Sequence, residues 1–288
     1  MIAVFRRELG SSFKGIMGYL FTAFVLLFAG IYTMAYNLSG YYANFEYAIS
    51  AVTFIYLIAV PILTMRSIAE EKRAKTDQLL YSLPISLAGV VMGKYLAMVA
   101  VLAVPVAVMG LYPLILSQFG SVAFNTAYGT LLAFFLLGAC LLSIGLFVSS
   151  VTESQVASAV ITLVVMLILY FIQDLVSYIS TSGSASLIAL CVAAALFSVL
   201  VYSMTRNAIA AMFVAVAGIG GLNLWYHADS SAFSGLFADL VSQLSVFDRF
   251  NTFVDGVFDV TAIVYYLSII GVFLFLTVQA LEKRRWSE

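Results

Sequence analysis

The sequence predicts an all-α integral membrane protein, a single domain over 1–288 with about eight transmembrane helices, both termini cytoplasmic, a charged cytoplasmic helix and amphipathic extracellular helices before the last span. Three observations carry this. The chain is 64% hydrophobic and 9% charged, with a mean hydropathy of +1.09, which excludes a soluble globular core. Uncharged runs of about 20 residues, enough to cross a hydrocarbon layer, recur along it. When those runs alternate in direction, only Arg249 of the thirteen Lys and Arg falls outside the cytoplasmic side, the asymmetry that the positive-inside rule demands.

The first element is an interfacial helix over 1–16. In "FRRELGSSFKGIMGYLF", Phe5, Leu9 and Phe13 share one side and lead into the first span. That span is too long for a signal-peptide core and lacks an A-x-A site, so it reads as retained. The spans fall at 18–36, 48–65, 95–117, 128–150, 156–172, 186–205, 208–226 and 261–281. The sixth and seventh are joined by Arg206 and Asn207 alone, which predicts a tight hairpin. Arg6, Arg7, Lys14, the cluster over 66–94, Arg206, Lys283, Arg284 and Arg285 are then cytoplasmic, and Glu46, Asp174, Asp229, Asp239, Asp248, Asp255 and Asp259 lie outside.

The cytoplasmic loop 66–94 contains "RSIAEEKRAKTDQLLYSLPIS", with seven charged residues. Ser67 and Glu70 have the capping-box spacing, which predicts a helix from Ile68, and Pro84 marks its end. Glu71 and Lys75 stand four apart, as do Arg73 and Asp77, while Leu79, Leu80 and Leu83 share a face. Burying seven ionic residues in lipid costs roughly 20 kcal/mol, so the helix stays at the surface. Glu70, Glu71 and Asp77 offset its bases, which suits a protein partner better than an anionic lipid surface. A solvated connector is the plain alternative.

In the outer segment 228–260, Phe233, Leu236, Phe237, Leu240, Val241 and Leu244 recur at helical spacing, and Phe247, Phe250, Phe253, Val254, Val257 and Phe258 repeat the pattern. Two amphipathic helices are expected, lying in the outer headgroup region.

Other classes find little support. Cys140 and Cys191 lie in apolar runs and offer no disulfide framework or zinc spacing. The net charge of −1 gives no reason for a nucleic-acid partner. His227, the sole histidine, sits beside Trp225 and Tyr226 as an aromatic-belt residue, and no carboxylate–histidine set suits a membrane enzyme. "GVVMGK", ending at Lys94, has the wrong spacing for a phosphate-binding loop and is followed by Tyr95. The spans are nearly free of ionisable residues, which argues against proton or sodium drive.

The order of an acidic pair, bases, Thr76, leucines and "SLP" before a new span resembles the coupling helix of permeases of the ABC type-2 transporter family. The segment from Phe5 resembles that family's elbow helix, and "SVFDRFNTFVDGVFDVTAIVYYLSIIGVFLFLTVQALEKRRW" is similar to the C-terminal part of its gliding-motility-type permeases. The resemblance implies a homodimer or paired permease in the bacterial inner membrane that exports cargo. It implies a separate ATPase subunit that binds ATP and Mg, with no cofactor on this chain. Glu70, Glu71, Lys72, Arg73, Thr76, Leu79, Leu80, Leu83 and Pro84 would dock the ATPase. Phe247, Asp248, Phe250, Phe253, Asp255 and Phe258 would form an extracellular gate. Permeases of this kind have six spans, so 186–226 reads as an inserted hairpin. The alternative function is a non-transporting membrane anchor that recruits a cytoplasmic partner.

Overall fold

A computed structural model describes residues 1–75, 86–178, 182–205 and 208–287, and these are helical with short turns and no strand. In chain order the helices are α1 (Ile2–Lys14), α2 (Met17–Thr33, continued by a π turn at Met34–Leu38), α3 (Phe45–Val52), α4 (Tyr56–Thr64), α5 (Ala69–Arg73), α6 (Leu87–Met109) and α7 (Tyr112–Leu116). There follow α8 (Phe124–Val151), α9 (Gln155–Ser177), α10 (Gly183–Thr205), α11 (Ala208–Ala228), α12 (Leu236–Gln243), α13 (Asp248–Val254) and α14 (Val260–Ser287). The chain divides into two compact units, Met1–Leu169 with Val246–Glu288, and Tyr170–Ser245.

Among the described residues six stretches are long and apolar enough to cross a membrane: Met17–Leu38, Phe45–Arg73, Leu87–Leu116, Phe124–Val151, Gln155–Ile172 and Val260–Arg284. The expected sixth and seventh spans are present as helices α10 and α11, whose apolar described stretches, Gly183–Ala195 and Met212–Ala228, are shorter. The expected linker, Arg206 and Asn207, lies outside the described residues. The second span is one apolar run broken into α3, a 3-10 turn at Thr53–Ile55, α4 and α5. Pro61 lies inside α4, where it lacks an N–H for the Leu57 carbonyl four residues back. The third helix begins at Leu87, eight residues ahead of the expected 95, because Ser86 caps it, its Oγ accepting the Gly89 N–H at 3.2 Å.

The larger unit is built around α8. This helix is apolar on every side, and 78% of its most apolar stretch is buried, as expected for a central helix. It packs against α3, α4, α5, α6, α13 and α14. Tyr56 of α4 stacks on Phe134 with ring centroids 4.5 Å apart, and its hydroxyl donates to the Phe134 carbonyl at 2.9 Å. The Tyr95 hydroxyl of α6 donates to the Ala139 carbonyl at 3.1 Å. Gly138 makes the crossing possible: a Cβ there would sit 2.6 Å from the Tyr56 hydroxyl and 2.7 Å from Leu102.

Three contacts place both chain ends and two connections at one end of this unit. Arg7 of α1 reaches Glu71 beyond α4, Lys72 donates to the carbonyl of Ser150 at the end of α8, and Arg284 of α14 pairs with Glu153 in the α8–α9 turn at 2.9 Å. In the smaller unit α10 and α11 lie along one another with α12 against α10, and Phe233 packs between Trp225 and Tyr226 at 5.0 and 5.4 Å.

Gly138→Val should cost about 1–3 kcal/mol by overpacking the α4–α6–α8 crossing. Thermal unfolding of the detergent-purified protein measures it, and an unchanged melting temperature would show that the crossing can give way.

Candidate functional site

The end of the bundle that holds both termini carries the densest group of charges. It begins with a steric fit between α1 and α6. A Cβ at Gly93 would lie 2.9 Å from the Val4 Cβ, so the glycine lets α1 lie close on α6. Arg7 and Glu8, one turn after Val4, then stand over Lys94, the residue after Gly93.

Lys94 is 2% exposed. Its ammonium donates to Glu71 Oε1 at 2.8 Å, to Glu8 Oε1 at 3.2 Å and to the Ser67 carbonyl at 2.8 Å. Arg7 Nη2 donates to the same two oxygens, at 2.6 Å on Glu8 and 2.8 Å on Glu71. Two cations and two carboxylates therefore alternate around a closed square that joins α1, α5 and α6. Burial alone would push the Glu8 carboxyl up, but Lys94, followed by Arg7, outweighs it and holds the group below its ordinary 4.5.

The segment after α4 differs from its expected form. Ser67 does not cap the helix through its side chain. Ile68 takes that place, and the N–H groups of Ile68 and Ala69 donate to Ser149 Oγ of α8 at 3.2 and 3.1 Å. Glu70 instead receives Arg66 in a two-pronged pair at 3.0 and 3.1 Å. The helix expected from Ile68 to Leu83 stops early within the described residues: α5 ends at Arg73 and Lys75 takes a left-handed φ of 54°. The pinning of Lys72 to Ser150 gives a physical reason: the segment is tied to α8 and does not float in water.

Of the expected docking residues, Lys72 is buried beside Ser150 and Glu71 belongs to the square, so neither presents a free charge to a partner. Arg73 is exposed and Glu70 is 44% exposed. Thr76, Leu79, Leu80, Leu83 and Pro84 lie outside the described residues, as does Asp77. The sequence placed Arg7 and Lys94 among the basic residues of one side and did not reveal Glu8, Ser149 and Ser150 as partners. The one available signal was Lys94 itself, a charge at the edge of an apolar run, which calls for a partner. Beside the square lies a cavity of about 780 Å³ between α1, the end of α4 and α6.

The outer gate candidates divide in two. Phe250 and Phe253 are 1% and 2% exposed and Phe247 is buried; α13 packs them on α8 and α3. Thr130 Oγ1 donates to the Phe253 carbonyl at 3.0 Å, the Tyr266 hydroxyl donates to the Val246 carbonyl at 3.0 Å, and Arg249 lies 4.2 Å over the Tyr265 ring. These phenylalanines form the apolar face that α13 and its N-terminal turn bury against the bundle. Asp248, Asp255 and Phe258 are exposed, because α13 ends at Val254 and Gly256, at φ 82°, turns the chain. A cavity of about 260 Å³ lies there, lined by Asn125, Thr126, Gly129 and Phe258 among others.

Lys94→Met leaves Glu8 and Glu71 facing each other with Arg7 alone and should cost about 3 kcal/mol, the lower end for a broken buried pair because both carboxylates keep some solvent. Thermal unfolding should show Glu8→Gln/Lys94→Met to be less damaged than the sum of its single variants. Because the Glu8 carboxyl is lowered in the folded state, its contribution is complete above the unfolded value and is lost as pH falls below 4.5 through the folded one. The acid limb of the wild-type pH–stability curve should therefore be shallower in Glu8→Gln.

No curated protein matches the chain significantly. The family model described as ABC-2 family transporter protein matches residues 2–283, nearly the whole length. The family model covers more than nine-tenths of the chain, and six helices among the described residues are long and apolar enough to cross a membrane; the chain belongs to the ABC-2 family of transporter proteins.

Proposed function

We propose that this chain is the permease subunit of an ATP-binding cassette exporter. It pairs with a second permease and couples to a separate ATPase, which binds ATP and Mg, in a bacterial inner membrane. Both termini and the 66–94 segment face the cytoplasm, and the α10–α11 pair crosses as a hairpin to make eight spans. The outer segment with Asp248, Asp255 and Phe258 covers the exit.

The observation that carries this reading is the attachment of the 66–75 segment. It is tied to α1 and α6 through Glu71 and to α8 through Lys72 and the Ser149 hydroxyl. A partner that pushes on this segment therefore acts at once on three helices, including the central one. An extended loop in water would take up the same displacement without passing it on. The twelve basic residues gathered on one side support the orientation.

Arg73 and Lys75 are exposed and stand outside the square, so their charges can be reversed without breaking the fold's own pairs. Arg73→Glu/Lys75→Glu should lower ATPase co-purification by about tenfold or more, as like charges brought together across an interface cost several kcal/mol. The melting temperature of the permease alone should not change. Full retention of the ATPase with coupled hydrolysis would remove the docking assignment, and retention without any transport would favour a membrane anchor.

The exposed outer residues give a separate check. Phe258→Asp should alter transport or basal hydrolysis without a change in melting temperature, whereas Phe250→Asp should fail mainly by unfolding, since it strands a charge in a packed core. Wild-type transport by Phe258→Asp would leave the outer segment as an interfacial anchor.

A further inference from the structure

The cavity beside the ion square has a chemical character that neither family membership nor the docking proposal uses. One side is formed by Arg7, Glu8, Arg66, Glu70, Glu71 and Lys94, and the other by apolar side chains that include Ile16, Met17, Ile62 and Leu63. Its polar side stands at the ends of the first three apolar stretches, Met17–Leu38, Phe45–Arg73 and Leu87–Leu116. That is the depth of the lipid headgroups, with the apolar side facing acyl carbons. About 780 Å³ is ample for a headgroup and the first part of its chains.

From this we infer a resident phospholipid with a zwitterionic headgroup that bears a primary ammonium, held with its phosphate on Arg66 and its ammonium on Glu70.

The charge count selects the headgroup. Three cations face three carboxylates, and all of the cations are engaged: Lys94 and Arg7 in the square, Arg66 on Glu70. A purely anionic headgroup that took Arg66 would strand the Glu70 carboxylate beside it. A headgroup that brings its own cation exchanges one pair for two and leaves no charge alone. Arg66 and Glu70 are the exchangeable pair, with side chains 46% and 44% exposed, whereas Lys94 is 2% exposed and stays in place. A primary ammonium donates hydrogen bonds to Glu70, and a trimethylated one has no N–H to give.

This inference does not depend on ATPase docking and is tested on the permease alone. The full chain is purified in detergent, and binding of phosphatidylethanolamine, phosphatidylcholine and phosphatidylglycerol of equal chain length is measured by native mass spectrometry and by thermal shift. The ethanolamine lipid should bind about tenfold more tightly than either of the others, a difference of the size of one or two charge-assisted hydrogen bonds. In Arg66→Gln/Glu70→Gln that preference should fall to about twofold or less while non-selective lipid binding persists. Ser11→Trp, which fills the cavity from an exposed position on α1, should weaken binding of the ethanolamine lipid with Arg66 and Glu70 intact. Phosphoethanolamine without acyl chains should not compete at equal concentration, since it leaves the apolar wall bare. Equal binding of the three lipids, preference for the glycerol lipid, survival of the preference in the double variant, or full competition by the free headgroup would each overturn the inference.

Discussion

Everything at the charged end depends on one constraint: an ammonium held almost entirely out of water must be matched by negative charge. Lys94 sits in the second turn of an apolar helix, and its own helix provides no carboxylate. Glu8 comes from α1 and Glu71 from α5, so satisfying Lys94 fixes the approach of two elements far apart in sequence. Arg7 then keeps the two carboxylates from repelling each other. The close fit of Val4 on Gly93 makes the geometry possible, because it brings α1 down onto α6 one turn before the charges meet.

The same economy governs the link to the centre of the bundle. Buried N–H groups at a helix start require acceptors, and α5 obtains one from the Ser149 hydroxyl in place of its own Ser67. The Lys72 ammonium takes the Ser150 carbonyl, one of those left open at the end of α8. The α5 segment is thereby attached to the most buried helix in the molecule. At the far end, α13 is attached to the same helix by Phe250, Phe253 and the Thr130 hydroxyl. One central helix thus contacts elements at both ends of the larger unit. Its span has no charged residue, so packing and backbone hydrogen bonds are what hold it.

Pairing also separates residues that look alike in the sequence. Lys72 and Arg73 are neighbours in a charged run, yet one is buried against α8 and the other is exposed. Phe250 and Phe258 share a pattern of recurring aromatics, yet a glycine at positive φ between them leaves one in the core and the other in the open. Periodicity assigns residues to a helix face only while the helix continues, and α5 and α13 both stop short.

The sequence by itself determined the class of protein and its long apolar helices, including the α10–α11 pair that precedes the last of them. These are set by composition and by the length of uncharged runs, which are local properties that lipid reads directly. Family membership was legible for the same reason, since the motifs that carry it are contiguous. The partners of Lys94, the role of Ser149 as a cap for α5, and the division of the charged segment into inward and outward residues were decided only by tertiary structure. Each depends on contacts between residues from about twenty to more than eighty positions apart. A sequence shows that a buried charge needs a partner, but which one it meets is fixed by how closely the helices can pack.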